Sequence, residues 1–186
     1  VDGDTSTNDS FVAISNFTSG VHLSSEEQKT RNEWNLFKKT FIEVCKSLAK
    51  LIVKDGEGAT KFIEILVSGA KSEKEASQIG LGIANSPLVK TAFFAADPNL
   101  GRILSAIGAH VDLNLDFSKI SVSLDDYKVV EKGELVRDYN EPRAKKIMER
   151  KSINLGVFLG RGIFKKTYYT CDLTDEYIRI NTNYRS

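Results

Sequence analysis

An α+β fold, with a mixed or antiparallel sheet layered with helices, is predicted by three features of this sequence. A long run after Ser24 repeats apolar residues at helical spacing, three later segments carry helix-start signals, and the second half alternates apolar with polar residues as half-buried strands do. Helices dominate the first half and strands the second, with one helix set among them, which argues against a regular βαβ succession. With 186 residues, 41% hydrophobic and 27% charged, the chain is long enough for one globular core and shows no bias towards disorder.

The chain opens on Val1 without a methionine and reads as the interior of a longer polypeptide. Val1 looks like the end of a strand, Asp2 to Asp4 a turn, and Ser6 with Asp9 has the spacing of a capping box, which predicts a helix start. After Ser24 and Ser25, Glu26 and Glu27 suit a helix first turn. Trp34, Phe37, Phe41, Val44, Cys45, Leu48, Leu51 and Ile52 then make one apolar stripe, predicting a long amphipathic helix packed on a core. It should stop at Lys54-Asp55-Gly56. Phe62 to Val67 is short, β-branched and bounded by glycines, a buried strand. Ser72 with Glu75 caps a second helix to about Asn85, Pro87 suits the first position of a third, and Asp97-Pro98-Asn99 is a loop before a short helix over Ile103 to Ile107. Leu113, Leu115 and Phe117, then Ile120, Val122 and Leu124, alternate like strands. Val129-Val130 and Leu135-Val136 flank Lys132-Gly133-Glu134 as a hairpin. Asn140 and Pro142 open a basic helix to Arg150, strands follow over Ile153 to Leu159 and Ile163 to Tyr169, and Thr174 caps a helix in which Tyr177 to Ile180 should be buried.

Composition excludes several function classes. Lys and Arg number 26 against 25 Asp and Glu, a net charge of +1, so no overall field draws nucleic acid or an anionic membrane. No apolar run reaches membrane-spanning length. Cys45 and Cys171 sit in a helical and a strand-like pattern, which suits a reducing cytoplasm better than a disulfide framework. The acidic start lacks the glycine and glutamate of a calcium loop, having Thr7 and Ala13 at those places, and Gly80-Leu81-Gly82 and Gly160-Arg161-Gly162 do not complete a dinucleotide fingerprint. His22 and His110 alone support neither a metal site nor a Ser-His-Asp triad.

Three polar clusters remain: Asp2 to Asp9, Asp55-Gly56-Glu57-Gly58-Ala59-Thr60-Lys61, and Asn181-Thr182-Asn183-Tyr184-Arg185-Ser186. In the second, glycines on both sides of Glu57 let the backbone turn sharply and leave one carboxylate projecting from a constrained loop, although spacing alone favours a helix C-cap with incidental charges. At these places the sequence resembles the glutamate N-acetyltransferase family, also called the ornithine acetyltransferases. Val1-Asp2-Gly3-Asp4-Thr5-Ser6-Thr7-Asn8-Asp9, the Asp55 to Lys61 loop, Ser86-Pro87-Leu88-Val89-Lys90-Thr91-Ala92, Asp97-Pro98-Asn99 with Gly101-Arg102-Ile103, and Cys171-Asp172-Leu173-Thr174 with Tyr177 and Ile180-Asn181 match family motifs in family order. Leu100 departs from the aromatic residue that many members carry there.

The resemblance implies the C-terminal (β-chain) portion, residues 1–186, of a precursor that cuts itself before a threonine and then moves acetyl from N-acetylornithine to glutamate through an acyl-threonine. It implies an α chain of the same precursor as partner in an α2β2 assembly, with some members also accepting acetyl-coenzyme A, and no resident cofactor or metal. No catalytic residue then lies in this chain, because the nucleophile precedes Val1. Glu57, Asn181 and Ser186 are implied as substrate-binding, with Glu57 suited to an ammonium and Asn181 to donating to a carboxylate. An N-terminal-nucleophile aminopeptidase of related fold and a non-catalytic α+β assembly module are the competing expectations.

Overall fold

The computed structural model describes residues 2–110 and 114–183. Two compact units are present: Gly3–Ile52, and Asp2 together with the described residues from Val53 onwards.

The larger unit is built on a six-stranded sheet in the order β4-β3-β2-β5-β1-β6, from β1 (Phe62–Ala70), β2 (Ser121–Leu124), β3 (Tyr127–Glu131), β4 (Glu134–Leu135), β5 (Ser152–Phe158) and β6 (Phe164–Cys171). β1 is parallel to β5, and every other pairing is antiparallel, so the sheet is mixed. Register sets Ile63, Ile65 and Val67 opposite Ile153, Leu155 and Val157, and these in turn lie beside Val122 and Leu124. That face is buried with residues of helices α2 (Glu73–Ala84), α3 (Pro87–Phe94), α4 (Leu100–Gly108) and α5 (Glu141–Met148) in one apolar cluster. Because side chains alternate along a strand, Leu66 and Phe158 fall on the other face, where both are exposed.

The capping signals act as their chemistry requires. Ser72, Ser86, Asn99 and Asn140 each accept, through a side-chain oxygen, the backbone N–H three residues on, at the starts of α2, α3, α4 and α5. Lys132 and Gly133 have φ values of 54° and 77°, the left-handed conformations of a two-residue hairpin turn between β3 and β4. The strands on either side of Gly160-Arg161-Gly162 do not pair with each other, since β1 lies between them.

Several expectations are corrected. Ser6 to Asp9 is a turn and no helix follows: Asn8 N–H donates to Ser6 Oγ and Asp9 N–H to Ser6 O, local bonds, and the apolar Phe11, Ile14 and Phe17 beyond them stay exposed, with no packing to hold a helix. α1 spans Arg31–Lys54, not residues from 26, because the Ser24 hydroxyl serves Glu26 N–H in a short turn and the first helical bond runs from Trp34 N–H to Thr30 O. Its stripe is not packed on a core. Val53 is its one buried residue, while Phe37 is 49% and Leu51 60% exposed. Asn114 to Asp116 form no strand, and Phe117–Lys119 is a 3-10 turn started by Asp116 accepting Ser118 N–H; Leu113 and Val1 lie outside the described residues. The last described helix, α6 (Asp175–Asn183), buries no residue, and Ile178 is exposed.

Candidate functional site

The loop after α1 meets the start of α6 through a set of contacts that begins with Asp172. That residue follows β6, is buried, and accepts Thr60 N–H and Lys61 N–H at 2.8 Å each on Oδ1 and the Thr60 hydroxyl at 2.5 Å on Oδ2. Three donors to one carboxylate hold the loop against the strand end. Two residues on, the Thr174 hydroxyl donates to Gly58 O at 2.8 Å while accepting Tyr177 N–H at 3.2 Å, so one side chain both caps α6 and fastens the loop. Gly58 has φ +66°, and a Cβ there would stand 2.6 Å from Tyr177 N and 2.8 Å from Thr174 Oγ1. Only glycine fits that approach.

Between these fastenings the loop presents Glu57, and α6 presents Asn181. Asn181 Nδ2 donates to Glu57 Oε2 at 2.7 Å and to Tyr177 O at 3.0 Å. Two of the three predicted site residues, 124 positions apart, are therefore in contact; Ser186 lies outside the described residues. Both side chains are exposed, so a ligand can reach them. Both amide protons of Asn181 are bonded within the chain, which leaves Oδ1 as its open acceptor. With the free Glu57 oxygen, the pair offers acceptors and one negative charge, a setting for an ammonium.

Of the two glycines beside Glu57, only Gly58 uses a left-handed conformation. Asp2, read from the sequence as turn, accepts the Tyr177 hydroxyl at 2.8 Å and so borders the same helix. The sequence reading missed Asp172 and Thr174 as supports of the site; their place in a short polar cluster following a strand was the available signal. Among the described residues no cluster of histidine, cysteine, aspartate and glutamate is placed to hold a metal, and no helix is long and apolar enough to cross a membrane.

Comparison with known proteins points one way. The chain is 47% identical over 186 residues to the arginine biosynthesis bifunctional protein ArgJ of Methylococcus capsulatus, and 45% identical over 187 residues to that of Neisseria meningitidis serogroup A. Each match covers all of this chain and 45% of the relative, so the chain spans about half the length of the curated relatives it matches. The crystal structure of arginine biosynthesis bifunctional protein argJ from Bacillus halodurans superposes with a TM-score of 0.89 at 36% identity, covering 99% of this chain and 84% of that one. The ArgJ family model matches residues 1–186, and the chain belongs to the ArgJ family.

Proposed function

We propose that this chain is the C-terminal portion of an acetyltransferase of arginine biosynthesis, and that Glu57 and Asn181 hold the ammonium of N-acetylornithine. The observation that carries this reading is the contact between those two side chains, which leaves the pair with acceptors to offer. N-acetylornithine has one ammonium, on its side chain, since its α-nitrogen is acylated. A carboxylate assisted by an amide oxygen suits that group, and a charge-assisted contact of this kind contributes about 1.5–3 kcal/mol.

In the proposed reaction a threonine hydroxyl, contributed by polypeptide preceding Val1, attacks the acetyl carbonyl. The amide C–N bond breaks, ornithine leaves with a proton on its nitrogen, and the acetyl group rests on the threonine as an ester. The amine of glutamate then attacks that ester and restores the hydroxyl. The residues of this chain bind and orient. None of them reacts.

The other product of the cleaved precursor is the proposed partner, in an α2β2 assembly within the cytoplasm, with acetyl-coenzyme A as a second donor. One finding supports separate chains: this sequence covers 84% of the crystallised Bacillus chain but 45% of the curated relatives, so that crystallised chain is little more than half their length.

The test uses the complete protein. Wild type should transfer acetyl from N-acetylornithine to glutamate, and Glu57→Ala should raise KM for N-acetylornithine by about 10–100-fold, the equivalent of one charged contact. Unaltered kinetics in Glu57→Ala would remove the assignment, and hydrolysis of peptides without acetyl transfer would point to an aminopeptidase.

A further inference from the structure

Behind the site lies a buried ammonium that the proposed reaction does not use. Lys90, on α3, is 2% exposed. Its Nζ donates to Thr170 Oγ1 at 2.9 Å and to Cys171 O, with Cys171 Sγ at 3.6 Å, and the Thr170 hydroxyl in turn donates to Ala84 O at 2.9 Å. The main-chain carbonyl of the same lysine accepts Leu173 N–H at 3.3 Å. One residue therefore grips the chain on both sides of Asp172.

Taking an ammonium out of water costs several kcal/mol unless bonds and charges compensate, and a methionine would fill similar space without that cost. Burial pulls the Lys90 pKa below the ordinary lysine value, while Cys171, Asp172 and Asp2 act in the opposite sense. The two carboxylates among these belong to the site's supports: Asp172 holds the Glu57 loop, and Asp2 accepts from Tyr177 on the helix that bears Asn181.

We propose that Lys90 is a positioning residue for the Glu57 and Asn181 pair, acting by holding residues 171–173 so that Asp172 and the start of α6 keep their relative placement. The kinetic part of this proposal rests on the reading that the pair binds substrate. The contact path is continuous: Lys90 to Cys171 and Leu173, Asp172 to Thr60 and Lys61, Gly58 to Thr174, and Asn181 to Glu57. Without the ammonium, Asp172 stays buried beside a missing counter-charge, and the loop it holds should loosen before the sheet does.

The experiment compares wild type, Lys90→Met and Lys90→Gln in the complete protein by amide hydrogen exchange and by kinetics. The expected result is exchange about tenfold or more faster at Thr60 and Lys61, with the amides of α2 and β5 unchanged, since opening is local. With it should come a rise of about tenfold in KM for N-acetylornithine, a kcat within about threefold of wild type, and a Lys90→Met, Glu57→Gln double variant no worse than Glu57→Gln alone. Uniformly faster exchange, unchanged exchange in the loop, or effects that multiply in the double variant would overturn the proposal. If wild type does not use N-acetylornithine, the functional reading fails, and the exchange pattern alone then decides whether Lys90 positions the loop. Should both variants fail to fold, Thr170→Val, which removes one acceptor, is judged by the same exchange criterion; failure of all three to fold would assign the lysine to stability and overturn the proposal.

Discussion

Asp172 illustrates how much of the site depends on single side chains. Both its oxygens are committed to one loop, at a position 3% exposed. Asp172→Ala would strand two backbone donors, and we expect a loss of about 2–4 kcal/mol, readable by urea denaturation; a loss below 1 kcal/mol would mean that water replaces the carboxylate. Lys61 supplies a pH prediction. Its Nζ donates to Phe93 O and, at 2.8 Å, to Met148 O, carbonyls in the final turns of α3 and α5. Burial lowers its pKa from 10.5, opposed by Asp172 and Glu149. The folded state thus releases this proton before the unfolded chain does. Between the lowered value and 10.5 the unfolded chain holds more protons, so the lysine's contribution to stability rises with pH. The stability of wild type relative to Lys61→Met should increase as pH climbs through that window; a gap that moves the other way would contradict the lowered pKa.

Among elements, β1 carries the most. Ile65 is fully buried between Leu155 and Tyr168 in register, and Ile65→Ala should cost about 2–5 kcal/mol, checked by the thermal midpoint. The loop before it is equally intolerant: Gly58→Ala, with φ +66° and a Cβ 2.6 Å from Tyr177 N, should lose more than about 1 kcal/mol and weaken N-acetylornithine use together, in a paired denaturation and kinetic measurement. Elements with strong local signals were legible from sequence. Ser72, Asn140 and Thr174 announced their helices because a cap needs only the next three residues. Ser6 had the same local chemistry, but Phe11, Ile14 and Phe17 beyond it are exposed and give a helix nothing to pack against, and it made a turn. The sheet order was not legible, since nothing local says that β1 separates β5 from β6. Glu57 and Asn181 were found through their motifs; Asp172 and Lys90 stand in motifs too, yet what they bond was not legible because their partners lie 112 and 80 positions away.

At the scale of the whole molecule, exposed apolar surface is extensive. Gly3–Ile52 exposes Phe11, Ile14, Phe17, Phe37 and Phe41, and the other unit exposes Leu66, Phe158 and Phe164. Patches of this kind on an isolated chain promote association. Light scattering on this polypeptide alone should therefore report species larger than 20.7 kDa, and Phe41→Lys with Leu48→Lys should reduce them; a clean monomer would show that these residues find cover within the chain. The position of β1 also orders events in time. Phe62 pairs with Ser152 on one edge and Cys171 on the other, so a ribosome making this polypeptide releases its most apolar strand long before either neighbour exists. Until β5 and β6 have been synthesised, the main-chain groups along both edges of that strand await partners, the period in which a nascent β-protein is most exposed to misassembly.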